Sequence, residues 1–119
     1  LADNAKRLRD GLFGQGVPSA ALEEHLGVLG NPEALEAALA WYRSNKGLAA
    51  DIGTIQVPTL YIWGDADATV GPDAAHDTGD FVGAVYAMEV LPGIGHFIMD
   101  QAPARATELL LAHLERHPV

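Results

Sequence analysis

The chain has 119 residues, which suits one modest domain, and 49% of them are hydrophobic, enough for a packed core. Its formal charge of −9, from 7 basic and 16 acidic residues, excludes nucleic acid and anionic membrane surfaces as expected partners, since both select basic patches. The absence of cysteine excludes disulfides, thiolate metal sites and a catalytic thiol. We expect no metal or organic cofactor, no membrane association and, by default, a cytoplasmic location.

The first 45 or so residues predict three short helices, at about residues 4–13, 19–29 and 32–43. Ser19 is the expected N-cap of the second helix. Asn31 is the expected N-cap of the third, with Pro32 in its first turn. A connector without clear periodicity follows at residues 48–56.

The remainder predicts an α/β layer. An apolar strand at residues 59–63 and a second strand region at 81–90 precede an amphipathic helix at 103–117. The loop between the strands contains a short helix at 73–78, so we expect parallel strands with a helical crossover. The N-terminal helices could cover one face of this sheet, and we expect the other face and at least one edge to be open.

Two polar turns follow the predicted strands, where chemistry usually occurs in α/β sheets. Asp65 and Asp67 come after the first strand, and His96 comes after the second. A carboxylate can orient a histidine and stabilise its imidazolium, and the histidine can then act as a general base. Taken singly, each residue has an ordinary explanation: Asp67 as an aspartate that favours a turn, and His96 as a loop histidine without a function. Asp65 and Asp73 are rivals for the acid, and the other histidines are expected to be structural or solvated: His25, His76, His113 and His117.

Taken together, residues 55–114 resemble the C-terminal third of an α/β-hydrolase. The resemblance rests on Val-Pro-Thr-Leu-Tyr-Ile-Trp-Gly-Asp-Ala-Asp at 57–67, Leu-Pro-Gly-Ile-Gly-His-Phe at 91–97 and Gln-Ala-Pro at 101–103. In that family the chain order is nucleophile, acid, histidine. The resemblance implies that Asp67, three residues after Gly64, is the catalytic acid and that His96 is the catalytic histidine.

Residues 31–43 are similar to a cap-domain helix of epoxide hydrolases and related dehalogenases. In epoxide hydrolases the tyrosine of the Trp-Tyr-Arg segment donates a hydrogen bond to the epoxide oxygen. This similarity implies a substrate-binding role for Tyr42 and its neighbour Trp41. The alternative is a tyrosine that packs beneath the cap. The implied organisation is a partial α/β-hydrolase fold, with a helical cap or lid segment at residues 1–50 and the C-terminal part of the core at 51–119.

The nucleophile of such an enzyme is missing from the sequence. Neither Gly-x-Ser-x-Gly nor Gly-x-Asp-x-Gly occurs, and Ser19 and Ser44 lie in helix-cap contexts. We therefore expect an inactive piece of a larger hydrolase, a proteolytic fragment or one chain of a split enzyme.

The expected partner is the N-terminal half of the hydrolase or a second copy of this chain. The expected substrate is a small apolar molecule such as an epoxide. The alternatives are a serine esterase and a non-catalytic module that associates through its sheet.

Overall fold

The computed structural model describes residues 5–45 and 53–118. The chain divides after residue 52 into two compact units. The predicted boundary between residues 50 and 51 lies outside the described residues, as does most of the predicted connector. No helix in the described part of the chain is long and apolar enough to cross a membrane.

The first unit consists of three helices, α1 (Lys6–Gly14), α2 (Ser19–Leu29) and α3 (Pro32–Ser44). Its small core is formed by buried Leu12, Val17 and Leu22. The predicted cap of α3 is confirmed, because the Asn31 side-chain oxygen accepts a hydrogen bond from the Glu33 backbone N–H at 2.8 Å.

The predicted cap of α2 is wrong by one residue. Pro18 occupies the N-cap position. Ser19 is the first residue of the helix, and no side-chain hydrogen bond caps this helix end. The reason is that the Pro18 carbonyl already accepts the first helical hydrogen bond, from the Leu22 N–H at 2.9 Å, while its own ψ of 146° is extended.

The second unit contains a two-stranded sheet with helices around it. Its elements are β1 (Thr59–Gly64), α4 (Pro72–Asp77), a 3-10 helix (Thr78–Phe81), β2 (Tyr86–Leu91), α5 (Ile98–Gln101) and α6 (Pro103–Arg116). The strands are parallel, with Thr59 opposite Tyr86 and Gly64 opposite Leu91. The predicted parallel pairing and helical crossover are confirmed, and α5 was not predicted.

The second strand begins later than the sequence predicts. Phe81 belongs to the 3-10 helix, and Val82 forms only an isolated bridge with Ile55. The Val82 N–H donates to the Gly79 carbonyl at 3.1 Å, which holds this stretch in a turn. Regular pairing therefore starts only at Tyr86.

Helices of the second unit lie against both faces of the sheet, but the cover is partial, since residues 59–62 and 86–89 are half-buried and Val90 is exposed. On one face the Trp63 ring centroid lies 6.2 Å from that of His76 in α4, and the Tyr86 ring lies against Gly79 of the 3-10 helix. A crossover between parallel strands returns over one face of the sheet, which is why α4 and the 3-10 helix lie on that face.

The opposite face carries α6. Arg105 of this helix reaches Glu89 of β2 at 3.8 Å, and Ala106 is buried. Within the described residues this sheet has two strands, so each strand keeps one unpaired edge.

The end of β1 makes close contact with the turn that follows β2. A Cβ atom at Gly64 would lie 2.1 Å from the Ile94 carbonyl oxygen, far inside van der Waals contact. The Asp65 N–H also donates to the Leu91 carbonyl at 3.2 Å. Only glycine at position 64 permits this approach of two backbones.

We predict that Gly64→Ala destabilises the second unit by about 1–3 kcal/mol, because the added methyl group must push two backbone segments apart. Gly53→Ala is the control, since a Cβ atom there would meet nothing within 4 Å. Urea unfolding of the two variants measures the difference. Equal midpoints would show that the turns separate at no cost.

Candidate active site

The carboxyl ends of β1 and β2 bring Asp67 and His96 together. The His96 Nδ1 atom lies 2.9 Å from the Asp67 Oδ2 atom. An ionised carboxylate can only accept hydrogen bonds, so Nδ1 carries the proton in this pair. The other ring nitrogen, Nε2, is then the atom that can accept a proton from a reacting group.

Asp67 is held on its other oxygen by the backbone of its own loop. Its Oδ1 atom accepts hydrogen bonds from the N–H groups of Thr69 at 2.7 Å and Val70 at 3.0 Å. The side chain is only 5% exposed, whereas that of His96 is 39% exposed. Burial by itself would raise the pKa of Asp67, but the hydrogen bonds from His96, Val70 and Thr69 outweigh it and lower that pKa below its ordinary value.

A buried tryptophan fixes the loop that supplies these two N–H groups. The indole N–H of Trp63 donates to the Val70 carbonyl at 3.0 Å, so Val70 is held by β1 at its oxygen and by Asp67 at its nitrogen. This contact was not predicted from the sequence. Its signal was available, since a buried tryptophan needs a partner for its N–H group.

The rival acid Asp65 has a different contact. Its Oδ1 atom accepts a hydrogen bond from the Gly93 N–H at 2.6 Å, which ties the first turn to the second. Gly93 has a φ of 72°, a conformation that favours glycine. Asp73, the other rival, lies in the first turn of α4.

His96 is also restrained by its neighbour in the chain. The ring of Phe97 meets the imidazole edge to face, with 5.4 Å between the centroids. Among the other histidines, His76 lies beside Trp63, and His113 lies beside His117 with its Nε2 atom 3.3 Å from the Pro58 carbonyl oxygen. These contacts join α4 to β1 and α6 to the chain before β1.

Trp41 and Tyr42 belong to the first unit, near the end of α3. Both side chains are about two-thirds exposed, and their rings meet edge to face at 5.1 Å. Their predicted role in substrate binding stays a prediction.

The two serines of the chain also lie in the first unit, at the start of α2 and the end of α3. A nucleophile elbow is a strand-to-helix turn, so neither serine has that setting. In residues 5–45 and 53–118, no three His, Asp or Glu side chains are grouped so that they could hold a metal ion.

Comparisons with known proteins inform the fold of this chain. No protein-family model matches the sequence, and no curated protein is significantly similar to it. The fold is similar to the solved structure of a serine hydrolase involved in carbazole degradation, the CarC enzyme, with a TM-score of 0.69 and 23% identity. The match covers 94% of this chain and 46% of that one, so the chain spans less than half of the hydrolase. The chain therefore has a partial α/β-hydrolase fold.

Proposed function

We propose that this chain supplies the acid and the histidine of a hydrolase triad, Asp67 and His96, and that the nucleophile lies outside the 119 residues. The 2.9 Å contact between His96 Nδ1 and Asp67 Oδ2 carries this proposal. The position of the pair at the carboxyl edge of a parallel sheet supports it, as does the similarity of the fold to a serine hydrolase.

In this mechanism Asp67 holds the imidazole with its proton on Nδ1 and its Nε2 atom free to act as a base. His96 takes the proton of the nucleophile or of a water molecule, and the resulting imidazolium faces an ionised carboxylate. The lowered pKa of Asp67 keeps this carboxylate ionised at neutral pH. His96 then returns the proton to the leaving group.

Two kinds of nucleophile fit this pair. With serine, His96 deprotonates the hydroxyl, and the enzyme hydrolyses an ester or a similar small substrate. The serine hydrolase fold of the solved structure favours this reading. With aspartate, His96 activates water against an ester intermediate, and the substrate is a small apolar epoxide. That second candidate rests on the resemblance of residues 31–43, which include Trp41 and Tyr42, to a cap-domain helix of epoxide hydrolases.

The partner is the remainder of the hydrolase sheet. The residues of β1, Thr-Leu-Tyr-Ile-Trp-Gly, include no charge, whereas β2 contains Glu89. Charged residues protect edge strands from pairing, so β1 is the strand suited to a further neighbour. Because the chain aligns with less than half of the solved hydrolase, we propose the N-terminal half as this neighbour in the complete protein. A second copy of this chain is the substitute when that half is absent.

We predict that the purified 119-residue chain has a mass in solution above that of a monomer, because an apolar unpaired strand edge favours association. Light scattering measures this mass, and addition of the N-terminal half should convert the oligomer into a one-to-one complex. A monodisperse monomer with a cooperative thermal transition would contradict the proposal about the edge.

We predict that Asp67→Asn in the complete enzyme lowers kcat about 10⁴-fold, because the amide cannot hold His96 in the working tautomer. Asp65→Asn is the matched control in the same turn. It should change kcat little, since an asparagine oxygen can still accept the Gly93 N–H. Hydrolysis of a panel of simple esters and epoxides measures both, and equal losses would remove Asp67 from its assigned role.

We predict that Tyr42→Phe slows epoxide opening and leaves ester hydrolysis largely intact. The phenol would stabilise the charge that develops on the epoxide oxygen, whereas an ester carbonyl would use backbone donors. Steady-state kinetics on the two substrate classes measure the split. Unchanged epoxide turnover in the variant would exclude Tyr42 from the site.

A further inference from the structure

We propose that Gln101 is a positioning residue for His96 and that it acts through the peptide group between Ile94 and Gly95. The inference rests on the proposed function of His96 as the base. Gln101 is the last residue of α5, five positions after the histidine in the chain. Its side-chain Oε1 atom accepts a hydrogen bond from the Gly95 N–H at 2.9 Å, in a partly buried position.

The peptide group that Gln101 contacts is held at both of its polar atoms. Its carbonyl, that of Ile94, accepts a hydrogen bond from the Ala66 N–H at 3.0 Å, and its N–H, that of Gly95, donates to Gln101. A peptide unit is planar, so two hydrogen bonds on opposite sides fix its orientation. Gly64 packs against the same carbonyl, so the peptide group can move little in that direction.

The two hydrogen bonds come from the two sides of the active site. Ala66 lies between Asp65 and Asp67 in the acid turn, and Gln101 lies on the helix that follows the histidine turn. The N–H of this peptide group belongs to Gly95, and His96 follows Gly95 in the chain. The orientation of the peptide therefore restrains the backbone that leads through Gly95 to His96, and with it the place of the imidazole relative to Asp67.

The helix that carries Gln101 is itself anchored. The Gln101 N–H donates to the Phe97 carbonyl at 3.0 Å, and α6 begins two residues later with Ala106 buried. The oxygen that receives the Gly95 N–H is thus attached to a packed element. Without that oxygen, the Gly95 N–H loses its partner, and a turn that contains Gly93 and Gly95 can rotate.

The test compares Gln101→Met, which keeps the side-chain length and removes the accepting oxygen, with Gln101→Glu, which keeps an oxygen in that place. The first measurement is the pair of imidazole ¹⁵N chemical shifts of His96 in the 119-residue chain, which report the tautomer. We expect the wild type and Gln101→Glu to show one tautomer with Nδ1 protonated. We expect Gln101→Met to show a mixture of tautomers.

The second measurement is steady-state hydrolysis by the complete enzyme. We expect Gln101→Met to lower kcat about 10- to 100-fold with little change in KM, the effect of a displaced catalytic group. Gln101→Glu should restore most of this loss. If Gln101→Met fails to fold, Gln101→Asn replaces it, because its oxygen is withdrawn by one methylene, about 1.5 Å.

The outcomes separate this inference from the proposed function. A single Nδ1-protonated tautomer and unchanged kcat in both Gln101→Met and Gln101→Asn would overturn the role of Gln101, even if Asp67 and His96 prove catalytic. Conversely, mixed tautomers in those variants support the positioning role even if the complete protein hydrolyses none of the tested substrates.

Discussion

The close approach of Gly64 to the Ile94 carbonyl is the contact on which the rest of the site depends. It places the turn after β1 directly against the turn after β2, where the parallel register ends at Gly64 and Leu91. Backbone hydrogen bonds from Asp65 to Leu91 and from Ala66 to Ile94 then lock the two turns together. Asp67 and His96 meet because their backbones are already fixed, and their own hydrogen bond need not hold the turns in place.

The electrostatics of the pair follow from the same arrangement. The side chain of Asp67 is only 5% exposed, and loss of water contact by itself would raise the pKa of its carboxyl group. Hydrogen bonds stabilise the ionised carboxylate by more than this, and so its pKa is lowered. They come from the imidazole of His96 and from the backbone N–H groups of Val70 and Thr69. These donors are fixed by the loop, which the Trp63 indole holds to the strand. The groups that lower the pKa of Asp67 therefore all belong to the second unit.

The two aspartates of one turn differ in what they hold. Asp65 binds the backbone of the opposite turn through Gly93, and Asp67 binds a side chain that can change its charge. The first contact is purely structural, because a backbone amide N–H neither gains nor loses a proton near neutral pH. In the proposed function the second contact responds to the reaction, since the imidazolium that would form during proton transfer is stabilised by a neighbouring carboxylate. The geometry thus gives a physical reason for the preference that the Gly64 to Asp67 spacing alone had indicated.

The sequence by itself indicated the longer helices, both strands and the candidate pair, but not α5 or the 3-10 helix. Alternation of apolar runs with glycine and proline located both strands and the crossover, and the resemblance in residues 55–114 identified Asp67 and His96. Tertiary structure decided what local patterns cannot encode. Phe81 belongs to a 3-10 helix because the Val82 N–H bonds back to Gly79, and α4 lies against part of one sheet face, beside Trp63. The contacts of Trp63, Asp65 and Gln101 with distant backbone groups also depend on how the turns pack, because a hydrogen bond between remote segments leaves no periodic trace in the chain.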